Sequence, residues 1–178
     1  MALGVVLVAV VTASVVATGG TYALWNAAAG TSNAVTITSG SATIRVSVLS
    51  AMRSPALAPG SSTTGTFTVR NTGTVPLSMR VATTATKVSY VSVPDSTVLG
   101  TQTLHLNSVQ SAASCRPGTG GASGPLASFD TGSGYFTLPV GVTATACVEI
   151  VVARDAPQSV SGAVTDFTLT VTGTQVPS

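Results

Sequence analysis

The groups in this chain that could do chemistry are few. His105 is its one histidine, and Cys115 and Cys147 are its two cysteines. The carboxylates are Asp95, Asp130, Glu149, Asp155 and Asp166. Nucleophilic catalysis needs a base beside the nucleophile, and His105 is the one imidazole on offer. His105 lies between Leu104 and Leu106. In a strand it points away from the leucines, onto a wet face where a lone histidine is solvated or hydrogen-bonded. A zinc site needs three or four ligands at recognisable spacing, which two cysteines and one histidine do not provide. There is no His-Glu-x-x-His, no Gly-x-Ser-x-Gly elbow and no phosphate loop. Gly118 to Gly124 is Gly-rich but lacks the strand-to-helix setting that cradles phosphate. The acids are scattered, with no glycosidase pair and no calcium loop among them. The expectation is a protein that is not an enzyme, with no catalytic residue, no metal and no cofactor.

Charge narrows the partners. Only 7% of the residues are charged, the net charge is +2 and Lys87 is the sole lysine. No window gathers basic residues into a phosphate-neutralising patch, so nucleic acid is not an expected partner. The surface must be built from Thr, Ser, Gly and Ala. Such a surface carries little like-charge repulsion and leans toward self-association.

The elements that hold these residues begin with an uncharged apolar run, Met1 to Trp25. As a helix, Ala2 to Ala17 would reach about 24 Å at about 1.5 Å per residue. That is short for a bilayer core of about 30 Å and suits an export signal. Residues 1–24 are therefore expected to be a signal peptide, or else a retained membrane anchor with Trp25 at the interface. Signal peptides open on Lys or Arg, and the absence of either predicts a true start upstream of Met1 or else a weak signal. Residues 25–38 read as an extended leader, and 39–178 as one domain.

In that domain the apolar residues alternate. Ile44, Val46 and Val48 share a face, as do Phe67 and Val69, then Leu77, Met79 and Val81. Later come Val148, Ile150 and Val152, opposite Cys147 and Glu149, and finally Phe167, Leu169 and Val171. Turn signals separate them at Ala58-Pro-Gly-Ser61, Asn71-Thr-Gly73, Val93-Pro-Asp95, Leu138-Pro-Val-Gly141 and Ala156-Pro157. No window after residue 30 has helical periodicity. The expected fold is all-β, an antiparallel sandwich of about seven or eight strands, jelly-roll-like or immunoglobulin-like, preceded by the hydrophobic signal helix. Residues 111–134 read as a long Gly-rich loop. In an exported chain Cys115 and Cys147 read as one disulfide, the alternative being two buried thiols. Such a bridge would pin the loop to the outer face of the Cys147 strand; unpinned, the loop is a disordered excursion.

Two motifs together resemble a family. Gly19-Gly-Thr-Tyr-Ala-Leu-Trp25 is similar to the ending of signal peptides cut by a SipW-type signal peptidase. Ser39-Gly-Ser-Ala-Thr-Ile44, Leu57-Ala-Pro-Gly60 and Phe67-Thr-Val-Arg-Asn-Thr-Gly-Thr-Val-Pro-Leu77 follow in an order that resembles the TasA/camelysin family of secreted fibre-forming proteins. The resemblance covers residues 18–82. It implies a jelly-roll-like sandwich, secretion to the cell surface and matrix, and assembly into biofilm fibres in which the N-terminal segment of one subunit completes the sheet of the next. The camelysin label also implies proteolysis, for which the chain lacks a metal-ligand set. The expected partners are identical subunits, plus a signal peptidase during export, with a membrane engaged only through an uncleaved signal segment. Trp25, Val35 and Ile37 are the expected pocket fillers of a donated strand. The alternative reading is a monomeric cell-surface binding or adhesion module that uses its Gly-rich loop.

Overall fold

The computed structural model describes residues 40–52 and 57–176, which lie within one compact unit, Thr38–Ser178. Eight strands are formed there: β1 (Ile44–Val46), β2 (Ser62–Asn71), β3 (Leu77–Ser89), β4 (Gln102–Val109), β5 (Ala122–Pro125), β6 (Phe136–Leu138), β7 (Thr143–Val152) and β8 (Val164–Gln175). They make two antiparallel sheets, one in the order β1-β2-β7-β4-β5 and the other β6-β3-β8. The inner faces carry the core: Phe67 and Val69 on β2, Leu77, Met79 and Val81 on β3, Leu104 and Leu106 on β4, Val148 and Ile150 on β7. Phe167, Leu169 and Val171 of β8 pack against it, partly buried. Alternation fixes this register, because a one-residue slip would turn every apolar side chain to water.

Three stretches depart from the sequence reading. Val48 does not face inward; it is 91% exposed, and Val46 is exposed as well. Ser47 and Ser50 donate their N–H groups to the carbonyls of Thr68 and Thr66. Three steps on one side thus match two on the other, a bulge that ends the alternation and turns Leu49 and Met52 inward instead. The Val93-Pro-Asp95 turn signal is the start of a short helix, α1 (Asp95–Leu99), with Pro94 at its N-cap and Val98 buried. Fewer than two turns are too short for helical periodicity to show. Segment 111–134 is not one loop. It holds the edge strand β5, and Leu126 and Phe129 are buried in the core.

Phe129 and its neighbours close one edge of the smaller sheet. The Thr83 N–H donates to the Phe129 carbonyl at 2.8 Å, and the Thr131 N–H to the Val81 carbonyl at 3.0 Å. Arg80 grips Asp130 through Nε to Oδ1 at 2.8 Å and through Nη2 to Oδ2. On the other side, β8 pairs only with β3 among the described residues, and its outer edge is open.

Asn71 anchors the opposite region. It is fully buried, and its Nδ2 donates to the carbonyls of Val75 (2.8 Å) and Leu138 (3.0 Å) while its Oδ1 accepts the Gly73 N–H (2.9 Å). The arriving chain crosses here: Thr74 N–H to Ser41 carbonyl, 2.9 Å, and Gly73 N–H to Thr43 carbonyl, 3.1 Å. A Cβ on Gly73 would sit 2.1 Å from the Ser41 carbonyl oxygen, so the Asn-x-Gly motif needs its glycine for close approach.

Asn71→Ala removes the amide's hydrogen bonds to the Val75 and Leu138 carbonyls and its acceptance from Gly73, so it should cost about 1–3 kcal/mol, read as a lowered midpoint in denaturant with an unchanged m-value. The Arg80 hydrogen bond, then that of the Gly132 N–H, hold the Asp130 carboxyl down to about 2. Because the folded value lies below the unfolded one, this support is present at neutral pH and is lost as pH falls toward 2. NMR titration should place the Asp130 midpoint near 2 in the wild type and return it to the ordinary carboxylate range in Arg80→Ala.

Candidate functional site

Two places gather what this chain has to offer. The first is the outer face of the larger sheet. On the central strand β7, Cys147 and Glu149 point away from the core, with Thr66 and Thr64 beside them on β2 and Asn107 and His105 on β4. The disulfide Cys115–Cys147 forms, with a Cα–Cα separation of 5.3 Å. It bolts a strap, residues 111–121, across this face. The Asn107 amide donates to the Thr119 carbonyl at 2.9 Å, and the Gly118 N–H donates to Glu149 Oε2 at 2.9 Å. Gly121 (φ +97°) lies so close to β4 that a Cβ would meet the Leu106 carbonyl oxygen at 2.1 Å. The strap leaves Glu149 only 5% exposed. The loop is therefore pinned to the outer face, as the sequence leads one to expect, and His105 lies on that face while Leu104 and Leu106 are buried.

His105 faces Glu149 across the β4–β7 ladder, the nearest thing here to a base and its orienting carboxylate. Both cysteine sulfurs are held in the disulfide, so neither is a nucleophile or a metal ligand. Among the described residues no three His, Cys, Asp or Glu side chains come together. Every such residue of the chain lies in the described part. The donor set does not fit a catalytic metal, which needs three protein ligands around an open position.

The second place is a cavity of about 580 Å³ between the sheets, at the end where β2 and β8 begin and β7 finishes. Its floor is Val98, Leu126, Ile150 and Val152; Met52, Leu57 and Pro59 wall one side, and Val164, Thr165 and Phe167 the other. The β8 wall belongs to the strand with the open edge. The floor is apolar, Thr63, Thr101, Gln102, Gln158, Ser161 and Thr165 add polar groups to the lining, and no described lining residue is charged. The site can take an extended peptide whose alternate side chains are apolar, and it has nothing with which to cleave one.

Val98 and Leu126, two floor residues, escape the sequence reading because they sit in a turn signal and a Gly-rich stretch. The signal that marks them is an apolar pair inside a polar segment: Val98 with Leu99, Leu126 with Phe129. Trp25, Val35 and Ile37, the expected pocket fillers, lie outside the described residues, as do the signal segment and the leader.

The camelysin metallo-endopeptidase family matches residues 1–106, from the apolar N-terminal run into β4. No curated protein matches the chain. The match takes in the Asn-x-Gly junction and ends before the strap and both cysteines. Within it, only Asp95 and His105 could bind a metal, one ligand short of the smallest catalytic zinc set. The match covers more than half of the chain, and the chain belongs to this family.

Removing the bridge with Cys115→Ser and Cys147→Ser should destabilise the domain by about 3–4 kcal/mol in the chain-entropy account. It should also raise amide exchange at Gly118 to Gly121 well above that of β4 and β7, read by hydrogen-exchange mass spectrometry.

Proposed function

We propose that this camelysin-family chain is a secreted, non-enzymatic structural subunit. After export and removal of residues 1–24 by a signal peptidase, it assembles with identical copies into extracellular fibres of a biofilm matrix. Each subunit donates its N-terminal leader as a strand to the next. The observation that carries this reading is the open apolar cavity beside the free β8 edge. An edge of this length is a template for another chain, and natural monomers guard such edges with lysine, proline or charge. β8 holds no Lys or Pro, and Asp166, its one charged residue, stands opposite Lys87 of β3. A donated strand fills both needs at once: backbone hydrogen bonds along β8 and apolar side chains in the cavity.

The leader suits that role by composition. Residues 25–37 carry no charge. Val35 and Ile37 are two apart, so a strand would present both to one face, and Trp25 supplies a large apolar end. Each aliphatic side chain moved from water into the cavity would contribute about 1.5–3 kcal/mol. The described chain starts at Gly40, where a Cβ would strike Val75, at the β2–β3 turn. The cavity lies at the other end of β2, about 30 Å away at about 3.3 Å per residue. Donation thus joins unlike ends of two subunits, and a heterologous contact of this kind propagates into a filament instead of closing.

The activity in the family's name is not part of this proposal, because the ligands for a catalytic metal are not there. Deleting residues 25–37 from the secreted form should abolish filaments in electron micrographs while circular dichroism still shows the folded β domain. Filaments of normal length and number from the truncated protein would refute strand donation. A wild-type protein that stays monomeric at high concentration would favour the cell-surface binding module instead.

A further inference from the structure

The two ends of the sandwich differ in a way that strand donation alone does not require. Among the described residues the exposed large hydrophobics are Val46, Val48, Tyr90, Val140, Val142 and Val164. Apart from Val46 and Val48, they stand at one end of the sandwich or the other. Val140 and Val142 stand in the β6–β7 turn, at the end where the leader departs: the Gly141 N–H donates to the Asn71 carbonyl, and the neighbouring Gly73 and Thr74 hold the chain arriving from Gly40. Tyr90 and Val164 stand at the cavity end, where Ser89 of β3 pairs with Val164 of β8. Val46 and Val48 lie along the side of β2, opposite Val69 and the Thr66–Thr68 stretch.

Tyr90 is conspicuous on two counts. It is 84% exposed, and at φ +65° it is the one non-glycine among the described residues with left-handed backbone. A bulky residue in that region is strained, and a strain that folding alone would remove by choosing glycine points to use. Charge follows the same division. Arg45 and Arg70 face each other at the leader end, with no carboxylate in ion-pair range among the described residues. Asp95, Asp155 and Asp166 lie toward the cavity end, as do Lys87 and Arg154.

We propose that the Val140–Val142 turn of one subunit packs against Tyr90 and Val164 of the next, a second contact that seats the two sandwiches end to end around the donated strand. The occupant of the Tyr90 surface is thus a second copy of this chain. This rests on the strand-donation reading: the leader leaves from the Val140–Val142 end, so its insertion beside β8 of a neighbour carries that end onto the rim of the cavity. The tyrosine acts as the anchor, in keeping with the weight of aromatic residues at interface centres.

The test uses the secreted form, residues 25–178, with its native disulfide. Tyr90→Gly relieves the left-handed strain, so the monomer should melt at the wild-type temperature or above it. Its critical concentration for fibre growth should nonetheless rise about tenfold. Val140→Ser with Val142→Ser should act alike from the other side. Tyr90→Cys mixed with Val142→Cys should cross-link under mild oxidation into subunit pairs within fibres, and should fail to do so when residues 25–37 are deleted. Wild-type fibres accompanied by normal growth of Tyr90→Gly, with no cross-link between the two cysteine variants, would overturn the end-to-end contact and leave strand donation standing. If the wild type forms no fibres at all, strand donation fails and the contact falls with it.

Discussion

The position of Asn71 governs what this fold can offer a partner. Its buried amide reinforces the junction of three pieces of backbone: the β2–β3 turn, the end of β6 and, through Gly73, the arriving chain at Ser41 and Thr43. A buried amide with partners for both its oxygen and its nitrogen is stable only in that arrangement, since each lost partner would leave a polar group without water. The consequence reaches past local stability. By fixing where the chain enters the sandwich, Asn71 fixes which end the leader departs from, and so the polarity of any contact the leader makes.

The second constraint is the mismatch between the two sheets. Among the described residues five strands face three, so the smaller sheet cannot cover its partner. Its one side is closed by the Phe129–Leu138 segment, clamped by Arg80 and Asp130. Its other side ends at β8, which among the described residues pairs only with β3, and a cavity lies behind it. In a charge-rich protein such an edge would be masked. Here the outward residues of β8 are Asp166, Val164 and a row of threonines, which satisfy water without repelling a neighbour. The strap on the larger sheet works the other way: it covers the outer face of β7.

Much of the core could be read in advance from alternation, because each long strand is wet on one face and dry on the other. Phe67, Leu77, Leu104, Val148 and their neighbours fall where the period of two puts them. The outward His105 was legible for the same reason, whereas the cysteine pair was read from the export signal. What periodicity misses is irregular. A bulge opposite Thr66 and Thr68 reverses Val48, five residues of α1 are too few to show a helical period, and Leu126 and Phe129 enter the core from a segment whose glycines hide them. The cavity was not legible at all. It is made by residues from β2, β7, β8, α1 and two turns, and only the sheet order brings them together.

The central claim is that residues of the leader occupy the cavity of another subunit as an added β-strand. The most direct measurement is NMR chemical-shift mapping of the isotopically labelled domain lacking residues 1–38, titrated with a synthetic peptide of residues 25–38. The account predicts saturable shifts confined to Val98, Leu126, Ile150, Val152 and residues 164–167, with new amide protection along the outer edge of β8. A peptide that leaves those resonances unmoved, or that perturbs the strap over Glu149 instead, would contradict it.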